Sequence, residues 1–151
     1  QTVLAGVSTA PWALSWFAST RLSNHQRGGA VDVSLAQVTR TEEKRAGAYG
    51  YTDVTAIALC EMPTEMHELS RAAAAFAAPV SGSSPTAWKD AAPAASMNAP
   101  ARRLQKYMTD AGLTPLASEW WHFNDLDALR TTSANKSTGR YVLSEVVSEA
   151  P

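Results

Sequence analysis

The chain carries three histidines, His25, His67 and His122, and two of them stand beside carboxylates at spacings that chemistry can use. His25 precedes Asp32 by seven residues, and His122 follows Glu119 by three. A catalytic zinc site takes three protein ligands from nitrogen and carboxylate donors and keeps a further position open for water. His25, Asp32 and His122 supply that count. A general base must lie within reach of that water, and the chain itself tethers Glu119 near His122. Residues an odd number apart on a regular strand face opposite sides. Glu119 and His122 can therefore share a site only if the strand bends or bulges at Trp120-Trp121. Between His25 and Asp32 the pair Gly28-Gly29 can turn the chain. Each residue also has an ordinary reading: a histidine in a polar turn is solvated, a glutamate beside tryptophans sits on a rim, an aspartate on a strand bonds a turn. Spacing alone permits a metal site without establishing it.

The elements that must position these residues can be read from periodicity and breakers. Ser23 to Gly29 is polar and turn-rich, and it runs into Ala30-Val31-Asp32-Val33-Ser34-Leu35, whose alternation predicts a half-buried strand. In that strand Val31, Val33 and Leu35 face the core and Asp32 points the other way. Residues 39–50 are charged and glycine-containing and predict an exposed hairpin or loop; 51–62 predict a second strand. Arg71 to Ala78 predicts a helix, and Pro79, Pro85, Pro93 and Pro100 predict a long surface loop over 79–98. The stripe Leu104, Tyr107, Met108, Ala111 predicts a helix over 101–111, ended by Gly112 and Pro115. A strand over Leu116–Phe123 follows, then a polar turn over 131–140 and a last strand at Tyr141-Val142-Leu143. Near the start, Pro11 opens a helix that stacks Trp12 on Trp16.

Composition narrows the function classes. The chain has 151 residues, which fits one domain with a sizeable core. Its 13 basic and 14 acidic residues balance to a net charge of −1, and basic residues are scattered, so the electrostatic footprint of a nucleic-acid binder is missing. No apolar run approaches the roughly 20 residues that span a bilayer. The single cysteine, Cys60, lies in an apolar run and reads as a buried small hydrophobe. One cysteine leaves the compartment open, with the cell envelope favoured over the cytoplasm.

Two segments together resemble a known family. Ser23-Asn24-His25-Gln26-Arg27-Gly28-Gly29-Ala30-Val31-Asp32 resembles the Ser-x-His-x-x-Gly-x-x-x-Asp signature of the zinc D-Ala-D-Ala dipeptidases and carboxypeptidases. Ser118-Glu119-Trp120-Trp121-His122-Phe123 resembles that family's Glu-x-Trp-His segment, the dipeptidase branch above all. Met62-Pro63-Thr64 is similar to a Met-Gly-Ser/Thr turn between the two. The resemblance implies His25, Asp32 and His122 as Zn2+ ligands and Glu119 as the catalytic base. It implies Ser23 in substrate binding, with Arg27, His67, Glu68 and Trp121 as further substrate contacts. It also implies an α+β fold, a mostly antiparallel sheet of about four strands with helices packed on one side and the zinc site on the sheet.

The expected activity is hydrolysis of D-Ala-D-Ala or a related D-amino-acid peptide in cell-wall metabolism. The alternatives are a non-catalytic peptidoglycan- or peptide-binding module of the same fold, and a peptidase of this family cutting a different bond. The family's dipeptidases hold an oxyanion-stabilising arginine in a Tyr-Arg-Pro segment that this sequence does not contain. The expectation is therefore a domain lacking an N-terminal segment of the family, with Arg21, Arg27, an N-terminal fragment or a second chain completing the site. The family's amine-binding aspartate matches the stretch Thr64-Glu65-Met66-His67-Glu68, where His67 or Glu68 stands.

Overall fold

The computed structural model describes residues 23–134. The helix expected around Trp12 and Trp16, the strand at 141–143 and Arg21 lie outside the described residues. What is described is α+β: five antiparallel-paired strands and two α-helices.

Three strands make the sheet that matters for the site. β1 (Ala30–Asp32), β4 (Thr114–Leu116) and β5 (Glu119–Asn124) assemble in the order β1-β5-β4, so β5 is central. The second sheet is a long two-stranded hairpin, β2 (Ala36–Ala46) against β3 (Tyr49–Leu59), reversing at Gly47-Ala48. Gly47 holds a φ of 62° there, in the left-handed region that glycine enters without a Cβ clash. The stretch 39–50, expected as an exposed hairpin or loop, lies in a hairpin, and most of it is strand rather than loop. Its ordered cross-strand polar pairs, Arg40 Nε to Thr55 Oγ1 and Thr52 Oγ1 to Glu43 Oε1, together with the Lys44–Asp53 ion pair, explain how so polar a segment sustains a ladder.

α1 (Ala99–Asp110) starts at Asn98, whose side chain accepts from Ala101 N, with Pro100 in the first turn where its missing N–H costs nothing. Only part of its expected stripe faces inward. Leu104 is buried and Met108 packs on the core, whereas Tyr107 and Ala111 are exposed. The helix lies on β4 and β5 through one narrow edge. α2 (Leu126–Ala134) is capped by Asp125, whose Oδ1 accepts from Asp127 N and Ala128 N. It occupies the first residues of the stretch expected to be a polar turn.

The expected helix over 71–78 is not formed. A 3-10 turn covers only Arg71–Ala73, and the chain then runs extended. Ala75 N and Phe76 N donate to Ala117 O, Ala77 N donates to Ala92 O and Ala94 N to Ala75 O. Alanine's helix propensity is a weak prior, and here tertiary backbone bonds override it. They seat Ala73 to Phe76 in the core with Met97, Leu104, Trp120, Trp121 and Phe123. The strand expected at 116–123 is divided by a turn at Ala117-Ser118. β1 stops at Asp32: Val33 and Leu35 still pack on the core, but Val31 is exposed. Cys60 is half-buried rather than buried.

Candidate metal centre

β1 and β5 are in register with Asp32 directly opposite His122, so the pleat places both side chains on the same face of the sheet. The turn at 23–29 then delivers His25. Arg27 N donates to Ser23 O, Gly28 N to His25 O and Gly29 N to Asn24 O. Gly28 turns at φ 66°. Gly29 is buried, and a Cβ there would lie 2.3 Å from the Leu129 side chain of α2. The glycine pair therefore does two things, a left-handed turn and a close approach to α2, and together they bring the ends of the seven-residue interval back to one place.

Glu119 arrives by an irregularity. Leu116 pairs with Glu119, but the next residue back, Pro115, pairs with Phe123. Residues 120–122 are thus left over relative to β4, the bulge that the spacing required between Glu119 and His122. Glu119 Oε2 ends 3.7 Å from His122 Nδ1. Trp120 is fixed meanwhile by its indole N–H donating to Thr64 Oγ1 at 3.0 Å.

Donor atoms of His25, Asp32 and His122 all lie within 4.8 Å of one another. His25 Nε2 is 3.0 Å from His122 Nδ1, and Asp32 Oδ1 is 3.4 Å and 3.1 Å from those two nitrogens. Asp32 Oδ1 is buried and has no hydrogen-bond partner. A buried carboxylate oxygen left unsatisfied is costly, and a cation between these three atoms would satisfy it. The donor set, two imidazoles and one carboxylate, suits zinc.

The surroundings fix which histidine nitrogen is available. His122 Nε2 lies 3.1 Å from Asn124 Oδ1, which also accepts from Asn24 Nδ2 at 2.9 Å. With that oxygen as acceptor, His122 carries its proton on Nε2 and turns the Nδ1 lone pair toward Asp32 and His25. Burial, first among the influences, holds the His122 pKa below its ordinary value, and the charge on Asp32 and the Asn124 bond oppose it. A neutral imidazole is the state in which it can ligate. Glu119 is pushed up to about 7, first by burial and then by the charge on Asp32, with Trp121 and His67 acting the other way. The Trp121 N–H is close enough to favour the Glu119 anion, yet it completes no hydrogen bond of normal geometry.

The other expected residues fall in different places. Ser23 is committed to its own turn: Gln26 N donates to Ser23 Oγ, and Ser23 N donates to Gln26 Oε1. Arg27 donates from Nη2 to Leu129 O on α2. Trp121 is 1% exposed, edge-on to Trp120 and His67, and packs behind the site instead of offering a face to a peptide. Glu68 is exposed and accepts from Ser70 Oγ. His67 does reach the site, but toward Asp32: its Nε2 is 2.9 Å from Asp32 Oδ2. Asn24 and Asn124 are the residues that sequence reasoning missed. Asn124 lies two residues beyond His122, on the same face of β5, and the strand period alone would have marked it.

A family model described as D-ala-D-ala dipeptidase matches residues 9–141. No curated protein and no solved structure matches the chain.

Proposed function

Because this chain belongs to the D-Ala-D-Ala dipeptidase family, a family of metallopeptidases, we propose that it is a zinc peptidase hydrolysing D-Ala-D-Ala or a related D-amino-acid peptide in cell-wall metabolism. The observation that carries the proposal is the convergence of the His25, Asp32 and His122 donor atoms beside Glu119. His25 Nε2, Asp32 Oδ1 and His122 Nδ1 would hold the metal on the face of the three-stranded sheet. When bound, zinc polarises the scissile carbonyl and lowers the pKa of water toward about 7.

The chain's own groups do the rest. Glu119 takes the proton of the attacking water on its carboxylate and hands it to the leaving amine nitrogen as the C–N bond breaks. A base with a pKa near the working pH is best placed for both transfers. Burial sets that value here, and a cation beside Glu119 draws it down again. Asn124, braced by Asn24, holds His122 in the ligating tautomer. The buried Trp121 ring lies beside Glu119 and His67, apolar surface next to which electrostatic interactions are strengthened.

A substrate panel tests the reading. The zinc-loaded protein should release D-alanine from D-Ala-D-Ala. A chelator should stop the release, and added Zn2+ should restore it. Acylated D-Ala-D-Ala and peptides with L,D bonds separate dipeptidase from carboxypeptidase and from cleavage of another bond. Binding of these peptides without hydrolysis of any of them would replace the peptidase by a binding module.

A further inference from the structure

His67 is the histidine that the three-ligand site does not use, and it is the one non-glycine residue among those described with a positive φ, 67°. That conformation is uncommon for a residue with a Cβ. Backbone held in such a state is a reason to look for what the side chain gains. The gain is specific. His67 Nε2 is 2.9 Å from Asp32 Oδ2, while Asp32 Oδ1 is the oxygen turned to His25 and His122. The ring is 68% exposed and stands edge-on to Trp121 at 5.8 Å between centroids, so one side rests on a buried residue of β5.

We propose that His67 is a positioning residue that clamps Asp32 by donating from Nε2 to Oδ2, so that Oδ1 alone faces the metal. The proposal rests on the zinc-site reading above and adds to it a residue with a defined job. An unclamped carboxylate can rotate about its terminal torsion or present both oxygens to a cation. With Oδ2 occupied by an N–H donor, Asp32 would offer a metal Oδ1 alone. Hydrogen-bonded partners of ligating groups commonly contribute about 10–100-fold to metal affinity. The left-handed backbone at His67 is what brings its ring across to Asp32 from the segment that follows the β2–β3 hairpin.

Three variants separate the clamp from the strain and from substrate contact. His67→Leu keeps the backbone strain and loses the donor. His67→Gln keeps comparable strain and returns an N–H donor at a similar reach. His67→Gly removes strain and donor together. Zn2+ affinity is measured by competition with a chromophoric chelator, and thermal melts confirm that each variant is folded. The expected result is Zn2+ binding about 10–100-fold weaker in His67→Leu and His67→Gly, with most of the affinity returned in His67→Gln. Equal Zn2+ affinity in wild type and all three variants would overturn the clamp, and so would a change confined to KM for the peptide. X-ray absorption of the wild-type zinc protein showing three imidazoles would overturn it as well, because His67 would then be a ligand. Failure of the wild type to bind Zn2+ at all would strike instead at the zinc-site reading, so the two failures are distinguishable.

Discussion

Replacing Glu119 by glutamine is expected to lower turnover of D-Ala-D-Ala by about 10²–10⁴-fold, the usual contribution of a general acid–base group, and to leave zinc content at the wild-type level. The separation follows from position. Glu119 stands beside His122, 3.7 Å from the Nδ1 that would face the metal, and is itself outside the His25–Asp32–His122 set. Its carboxyl is largely shielded, and burial followed by the charge on Asp32 raises its pKa to about 7. Glutamine has nearly the same shape, keeps an oxygen for the Trp121 N–H, and cannot take up the proton. Steady-state kinetics together with metal analysis of the purified variant give the answer. Loss of zinc to the same degree as in a ligand variant would make Glu119 a ligand and the assignment wrong.

Replacing His25 by alanine should have a larger effect, because it removes one of three ligands. The predicted outcome is loss of stoichiometric zinc and a fall in activity of several kcal/mol of transition-state stabilisation, on the order of 10³-fold or more at about 1.4 kcal/mol per tenfold. His25 is the informative ligand to remove because its side chain is 39% exposed, against 9% for His122. Truncating it empties little of the core, so the variant should melt near the wild type. The same substitution at the buried His122 would also strip the partner from Asn124, and loss of fold could be mistaken for loss of metal. Full zinc occupancy and activity in a folded His25→Ala protein would remove His25 from the site.

The candidate site and the fold around it differ in how they can be read from the sequence. The spacing of His25, Asp32, Glu119 and His122 permits a metal site without establishing it, and the resemblance of their two segments to the dipeptidase family is what implies their roles. The geometric condition attached to Glu119 and His122, a bulge between them, follows from the strand period and matches the register shift opposite β4. The helix expected over 101–111 from its apolar spacing, Gly112 and Pro115 is found at 99–110; its start was not legible, because Pro100, which reads as a breaker, sits in the first turn behind the Asn98 cap. Elsewhere local pattern misled. The alanines after Arg71 favour helix on propensity, but backbone bonds to Ala117 and Ala92, distant in sequence, hold them extended. Tyr107 follows helical spacing yet is exposed, because α1 meets the sheet through a narrow edge. The family resemblance implies a place near the substrate for His67 or Glu68. The hydrogen bond of His67 to Asp32 depends on a left-handed backbone conformation that no one-dimensional pattern signals for a histidine.

Diffraction data collected on either side of the zinc absorption edge, from crystals grown with Zn2+, decide whether His25, Asp32 and His122 hold a metal. One anomalous peak is expected, bonded to His25 Nε2, Asp32 Oδ1 and His122 Nδ1 at about 2.0–2.2 Å, with Glu119 outside bonding distance. A zinc-supplemented crystal with these residues ordered and no peak between them, or with its peak on other ligands, would contradict that expectation.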